Sequence, residues 1–165
     1  SDAADAVLEH SRRTEEVLTR FSAAAAEGLA VVRQSPFHRH ELPNVMAYAD
    51  LSAPLDHASR NLRVLARRCV VSLWRQEPVP TAYLDLMDQL AEVVRFMAIE
   101  LKARRLPTGA RKRLVAVGDA SSHVELVESI SAVVILAQLR SLVVDLLMVT
   151  GMDQMESTDA LPPPR

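Results

Sequence analysis

The stretch "LAQLRSLVVDLLMVTG", residues 136–151, decides the fold, because it is apolar almost throughout and yet includes Arg140 and Asp145. Residues 130–149 are long enough to span a bilayer. On a scale of membrane-insertion free energies, each of the two charges is unfavourable by about 2.5–3.5 kcal/mol, and each Leu, Ile or Val is favourable by about 0.3–0.6 kcal/mol. The net free energy of inserting this stretch is therefore close to zero. The other long helical patterns are amphipathic and need an apolar partner. We therefore predict that this stretch is the buried central helix of a bundle.

The composition of the chain favours an all-α protein. Of its 165 residues, 49% are hydrophobic, but only 4% are aromatic and only 4 are glycine. The net charge of −2 offers no global field for nucleic acid, so no nucleic-acid partner is expected. The single cysteine, Cys69, excludes a disulfide framework and a cysteine-based zinc site, and is expected to behave as a small buried hydrophobe.

Hydrophobic periodicity and the positions of Pro and Gly predict an antiparallel four-helix bundle with short accessory helices, forming a single domain over residues 1–152. The four long helices are expected at about 2–34, 53–76, 81–105 and 122–150, with a short helix at about 109–117. Ser52 and Thr81 are predicted to cap the second and third long helices, and Ser122 with Glu125 has the spacing of a capping box. Gly151 lies where a C′ glycine belongs. The polar, proline-ended tail 153–165 is predicted to be disordered.

The charges in the apolar stretch need partners from another helix. Arg140 and Asp145 are five residues apart, about 140° around a helix, and so cannot pair well with each other. The segment "LDHASRNLRVLARR", residues 55–68, offers an Asp56–Arg60 pair at i, i+4 and an arginine stripe of Arg60, Arg63 and Arg67. We expect Asp145 to meet Arg60 or Arg63, and Arg140 to turn toward Asp56 or a loop carbonyl. These six residues are interpreted as structural ion pairs; an anion or aromatic-acid contact and a partner-docking surface are the alternatives.

No motif in the sequence indicates catalysis. It contains no Gly-rich phosphate loop, Ser-His-Asp order or paired-carboxylate pattern, so we predict a non-enzyme without a cofactor. His38 and His40 with Glu41 could touch a metal, but a solvated loop is the preferred reading and no metal site is predicted. The basic segment 104–113 is expected to be a solvated loop, or to face phospholipid head groups if a membrane lies nearby.

Two segments, 55–68 and 136–151, carry a resemblance to a known family. The residues that carry it are Arg60, Asn61, Arg63, Arg67 and Arg68 in the first segment, and Gln138, Leu139, Arg140, Ser141, Asp145, Leu146, Leu147 and Gly151 in the second. In this order and about seventy residues apart, they resemble the C-terminal cytosolic region of actinobacterial membrane proteins of the fusaric acid resistance / aromatic acid exporter family.

This resemblance implies a soluble domain on the cytoplasmic side of the inner membrane, within an exporter of aromatic or other small organic acids. It would act in assembly or regulation, with its own transmembrane domain outside this chain and with a homo-oligomer and aromatic carboxylic acids as possible partners. Because the chain opens inside a helical pattern without an initiator Met, we expect it to be a fragment of a longer protein. The alternative is a free-standing helical-bundle binding or regulatory module with no membrane part.

Overall fold

The structure is a computed structural model that describes residues 2–34 and 42–164. Within these ranges the chain is helical and has no strand, which confirms the predicted all-α class. The helices are α1 (Asp2–Gln34), α2 (Leu42–Asp50), α3 (Ser52–Arg75), α4 (Thr81–Lys102), α5 (Arg111–Ala120), α6 (Ile130–Val149) and α7 (Gln154–Asp159), with a 3-10 turn, Thr108–Ala110, leading into α5. The segment with His38, His40 and Glu41, which is predicted to be a solvated loop, lies outside the described residues.

Helix α6 is the centre of the fold. It packs most extensively against α3 and also contacts α4, α5 and α7, whereas α1 packs on α3 and α2. Ile135 and Leu147 are fully buried in the core that it organises. Among the described residues α6 is the one helix long and apolar enough to cross a membrane, with a mean hydropathy of 2.1 over its most apolar window, of which 56% is buried inside the fold. Packing in the core therefore accounts for much of its apolar surface.

Helix α3 runs antiparallel to both α1 and α6, and two contacts fix the register of α1 against α3. Ser22 Oγ lies 2.5 Å from Ser52 Oγ, and Glu15 forms an ion pair with Arg63. As the residue number rises along α3, it falls along α1. Helices α1 and α4 make no extensive contact with each other. The bundle is therefore open on one side, between these two helices.

The start of α6 differs from the prediction. The helix begins at Ile130 rather than near residue 122, because Ser129 is its N-cap and accepts a 3.3 Å hydrogen bond from the Ala132 amide. Ser122 forms no capping box with Glu125; its buried hydroxyl donates instead to the carbonyl oxygens of Gly118 and Pro162. Gly151, at φ +89°, follows the end of α6 as predicted.

The other predicted caps and the short helix also differ. Neither Ser52 nor Thr81 caps a helix with its side chain: they are the first helical residues of α3 and α4, after Leu51 and Pro80. Helix α5 passes through Gly118 and ends at Ala120, since Gly118 is a packing position rather than a stop.

The carboxyl-terminal segment is folded, so the prediction of a disordered tail was wrong for residues 153–164. Asp153 and Glu156 form a reciprocal capping box that starts α7, and Ser157 is fully buried. Leu161 then packs against the core beside Gly118. This segment stays in place because its apolar contact and its backbone carbonyl find partners on α5 and α6.

Candidate functional site

Asp145 lies at the α3–α6 interface with only 7% of its surface exposed. Its Oδ2 accepts a 2.6 Å hydrogen bond from Asn61 Nδ2. Burial raises the pKa of Asp145 above its usual range, while the Asn61 hydrogen bond and the charge of His57 lower it in part. The expected ion pair with Arg60 or Arg63 is therefore wrong, because the α3 residue that faces α6 is the neutral Asn61.

The three arginines of the predicted stripe go to different places. Arg60 forms the predicted i, i+4 pair with Asp56 at 2.8 Å, and Arg63 pairs with Glu15 of α1. The Arg67 side chain is exposed to solvent. The fold does not bring the three guanidinium groups together into one anion site, since two of them already pair with separate carboxylates.

Arg140 binds neutral groups near the carboxyl-terminal segment. Its Nη1 donates to Ser121 Oγ at 2.6 Å and to Ser122 Oγ at 3.0 Å, and its Nη2 donates to the Pro162 carbonyl. The predicted contact with a loop carbonyl is confirmed and the one with Asp56 is wrong. Partial burial lowers the pKa of the Arg140 guanidinium. The side chain thus fixes the segment after α7 to α6.

The basic segment 104–113 is held largely by contacts within the fold. Arg105 binds the Glu100 carboxylate with two nitrogens at 2.8 and 2.9 Å, and Arg113 lies 4.7 Å over the Phe96 ring. Arg111 donates to the side chain and the carbonyl of Thr150, at the carboxyl end of α6. A cation there complements the helix dipole. Sequence reasoning missed this contact, since nothing in the local pattern links α5 to the end of α6.

An apolar groove of about 700 Å³ lies in the open side of the bundle. Its walls come from all four long helices: Val7, Thr14 and Leu18 of α1, residues 55–73 of α3, residues 87–94 of α4, and Leu139, Leu142 and Leu146 of α6. Cys69 lies in its wall, half-buried, and burial raises the pKa of the thiol. Sequence periodicity assigned several of these residues to a closed core and gave no sign that the core is open.

One end of the bundle exposes large apolar side chains. Leu73, Trp74 and Ile130 are 74%, 80% and 79% exposed. All three belong to this end because the end of α3 meets the start of α6, where Ser131 and Arg75 lower the pKa of the Glu77 carboxyl. The amino-terminal part of α1 lies at the same end, because α1 runs antiparallel to α3. We call this surface the apolar end.

The described residues hold no cluster of three or more His, Cys, Asp or Glu side chains that could bind a metal ion. The polar features of the fold are instead isolated buried contacts, around Asp145 and Arg140, and the large feature is the apolar groove. The geometry of this groove suits binding of an apolar group.

Comparison with known proteins gives one informative match. No protein-family model and no solved structure matches the chain. The chain is similar to an uncharacterised protein of Corynebacterium glutamicum, with 29% identity over 166 residues that cover 94% of this chain and 42% of that protein. It therefore spans less than half the length of this relative.

Proposed function

We propose that this helical unit is a cytoplasmic accessory domain of an inner-membrane exporter of aromatic or other small organic acids, where it acts in assembly or regulation. The observation on which the proposal rests is the apolar end, where Leu73, Trp74 and Ile130 are exposed beside the amino-terminal part of α1. Clustered apolar side chains on a surface mark contacts with other protein or with a membrane. Exposed Trp suits the boundary between lipid and water.

The proposed orientation places the apolar end toward the membrane. A spanning segment that led into α1 would bring this end next to the bilayer, and the opposite end, with Ile99 near the end of α4, would face the cytoplasm. More than half of the Corynebacterium protein lies outside the matched region, so a relative of this chain has room for a further domain. The resemblance of segments 55–68 and 136–151 to the exporter family supplies the proposed cargo.

The proposed role is structural rather than catalytic. The buried contacts of Asp145 with Asn61 and of Arg140 with Ser121 hold α6 in register, so the bundle moves as a unit. A rigid unit with an apolar end can couple two protomers or transmit a displacement to a transport path.

The experiment uses the complete open reading frame that encodes this chain, returned to an actinobacterial strain from which it has been deleted. Membranes are washed at alkaline pH to separate integral from peripheral protein, and efflux of radiolabelled benzoate is measured. The test variant combines Trp74→Asp and Ile130→Asp. The matched control is Ile99→Asp, because Ile99 is also a large exposed aliphatic side chain but lies about 27 Å along α4 from Thr81.

We expect the product to stay in washed membranes, and we expect efflux to fall at least tenfold in the test variant but to stay normal in the control. Recovery of the product in the soluble fraction would overturn the proposal and favour a free-standing module. Normal benzoate efflux in the deletion strain would remove the cargo assignment. Equal efflux by test and control variants would remove the role of the apolar end.

A further inference from the structure

We infer that the apolar groove binds the hydrocarbon chain of a single-chain amphiphile, such as a fatty acid or a lysophospholipid. The inference concerns the isolated chain and does not depend on the proposed exporter. It rests on three properties of the groove: the chemistry of its walls, its cross-section, and the contacts that keep it open.

The walls are hydrocarbon along nearly their whole length. Among the side chains that the structure describes, no Asp, Glu, Lys or Arg lines the groove, and the polar ones in its wall are Thr14, Ser59 and Cys69. The Thr14 hydroxyl already donates to the His10 carbonyl at 3.0 Å. Polar metabolites would lose hydrogen bonds to water here without replacing them. The groove therefore selects a ligand portion that is itself apolar.

The dimensions of the groove fit one extended hydrocarbon chain. Its α3 wall runs from Leu55 to Leu73, about 27 Å at 1.5 Å per residue. The volume of about 700 Å³ over this length gives a mean cross-section of about 26 Å². Non-bonded carbons approach to about 4 Å, so a chain of methylenes needs roughly 15–20 Å². A row of methylenes therefore fits along the groove, and the volume lies within the range of roughly 300–1,000 Å³ that is typical of small-molecule sites.

The groove is held open by the fold itself. Helix α1 is fixed to α3 by the Ser22–Ser52 hydrogen bond and the Glu15–Arg63 ion pair. Helix α4 packs on α6 and α5 instead. The small side chains of Ala66 and Ala91 leave the space between these helices unfilled. Apolar surface left open in this way favours a ligand that removes it from water.

The groove also has a polar rim that suits a head group. Arg63 follows Ser59 by one turn of α3, and Glu15 follows Thr14 on α1, so the Arg63–Glu15 pair lies beside the polar part of the wall. A chain whose head lies near this pair, in water, would follow the α3 wall toward Leu73, over about 15 Å at 1.5 Å per residue. Fatty acids and lysophospholipids share the chain and differ in the head, so the chain is the recognised element.

Cys69 supplies a reporter for occupancy, because it is the single cysteine of the sequence and lies in the groove wall. Iodoacetamide alkylation of the folded chain is followed by mass spectrometry at increasing concentrations of added amphiphile. The probes are saturated fatty acids of 8 to 16 carbons, a lysophosphatidylcholine and, as a short aromatic acid, benzoate, all below their micelle concentrations. The test variant is Ala91→Phe, which fills the groove, and the matched control is Ala98→Phe, on the exposed side of the same helix.

We expect the amphiphiles to slow alkylation of Cys69 at least tenfold in the wild type and in the Ala98→Phe control. The concentration needed should fall about fourfold per added methylene, since each buried methylene is worth about 0.8 kcal/mol. Protection by both lysophosphatidylcholine and fatty acids would show that the hydrocarbon chain is recognised. Protection by one of them alone would show which of the two classes of amphiphile the groove binds. Ala91→Phe should raise the required concentration at least tenfold.

Three results would overturn the inference. One is protection by benzoate as effective as that by the 16-carbon acid, and another is equal protection in the Ala91→Phe and control variants. The third is a dimer, seen by light scattering, that shields Cys69 without added amphiphile, since a second copy would then occupy the groove. If Ala91→Phe fails to melt cooperatively, Val94→Trp at the mouth of the groove replaces it with the same expected outcome.

Discussion

Asn61 donates a 2.6 Å hydrogen bond to the Asp145 carboxylate across the interface between α3 and α6. The acidic side chain in the apolar helix α6 thus has a neutral amide as its hydrogen-bond partner. The pairing fixes the register of the two helices without a second buried charge. No arginine is therefore left unpaired when the Asp145 carboxylate is removed.

Replacing Asp145 by Asn should not destabilise the protein by more than about 1 kcal/mol at pH 7, since the amide oxygen still accepts from Asn61. Burial raises the pKa of Asp145 in the folded state. As pH rises from about 3.9, the unfolded carboxyl ionises first, so the wild type loses stability until pH passes the folded pKa. The advantage of Asp145→Asn over the wild type should therefore grow with pH, measured by urea unfolding from pH 3 to 8. A loss of several kcal/mol at pH 7 would point to a buried cation beside Asp145.

Replacing Arg140 by Met should release the carboxyl-terminal segment, because the Pro162 carbonyl and the hydroxyls of Ser121 and Ser122 lose their guanidinium donor. We expect a loss of about 1.5–3 kcal/mol in the free energy of unfolding. A glutamate-specific protease should cut after Glu156 faster in the variant than in the wild type. Arg67→Met is the control, since Arg67 is exposed. Equal cleavage of the two variants would contradict the inference that Arg140 holds the carboxyl-terminal segment on α6.

Gly118 and Leu161 should show a reversal of sign in a double-mutant cycle. A Cβ at position 118 would lie 2.8 Å from Leu161 Cγ, so Gly118→Ala alone should destabilise the protein by about 1–3 kcal/mol through overpacking. In a Leu161→Ala background the same change should stabilise by about 0.5–1 kcal/mol, as Gly→Ala does inside a helix. Thermal unfolding measures both. Additive effects would mean that the tail does not pack on α5.

Replacing Ser129 by Ala should cost about 1 kcal/mol, since its side chain caps the first turn of α6. Thr81→Ala at the start of α4 should cost less than about 0.5 kcal/mol, because Thr81 makes no capping hydrogen bond there. Urea unfolding of the two variants compares them directly. A larger loss in the free energy of unfolding for Thr81→Ala than for Ser129→Ala would indicate that Thr81 caps α4, as the sequence pattern predicts.

The long amphipathic helices could be predicted from the sequence. The first was expected at about 2–34 and is Asp2–Gln34, and the third was expected from 81 and begins at Thr81. Their boundaries follow from strong periodicity and from the prolines between them. The start of α6 was misplaced because Ser122 and Glu125 imitate a capping box, and Val124 and Val127 extend the apolar spacing backward into a loop.

The partners of the charged residues could be predicted only in part. The Asp56–Arg60 pair is local, so spacing alone identifies it. Asn61 is adjacent to Arg60 but about 100° further around the helix, and only the packing of α3 on α6 decides which of them faces Asp145. The Pro162 carbonyl is a backbone group, so no side-chain pattern signals it. The groove likewise depends on how far α1 lies from α4, which periodicity does not encode.

Hydrogen–deuterium exchange on the isolated chain in detergent-free buffer tests most directly the central claim that α6 is the buried core helix of a folded bundle. The claim predicts that amides of residues 134–149 are the slowest in the protein, exchanging only through global unfolding, and that they slow no further when detergent micelles are added. Rapid exchange of these amides in buffer, with protection gained only in micelles, would contradict it and identify α6 as a membrane-seeking segment.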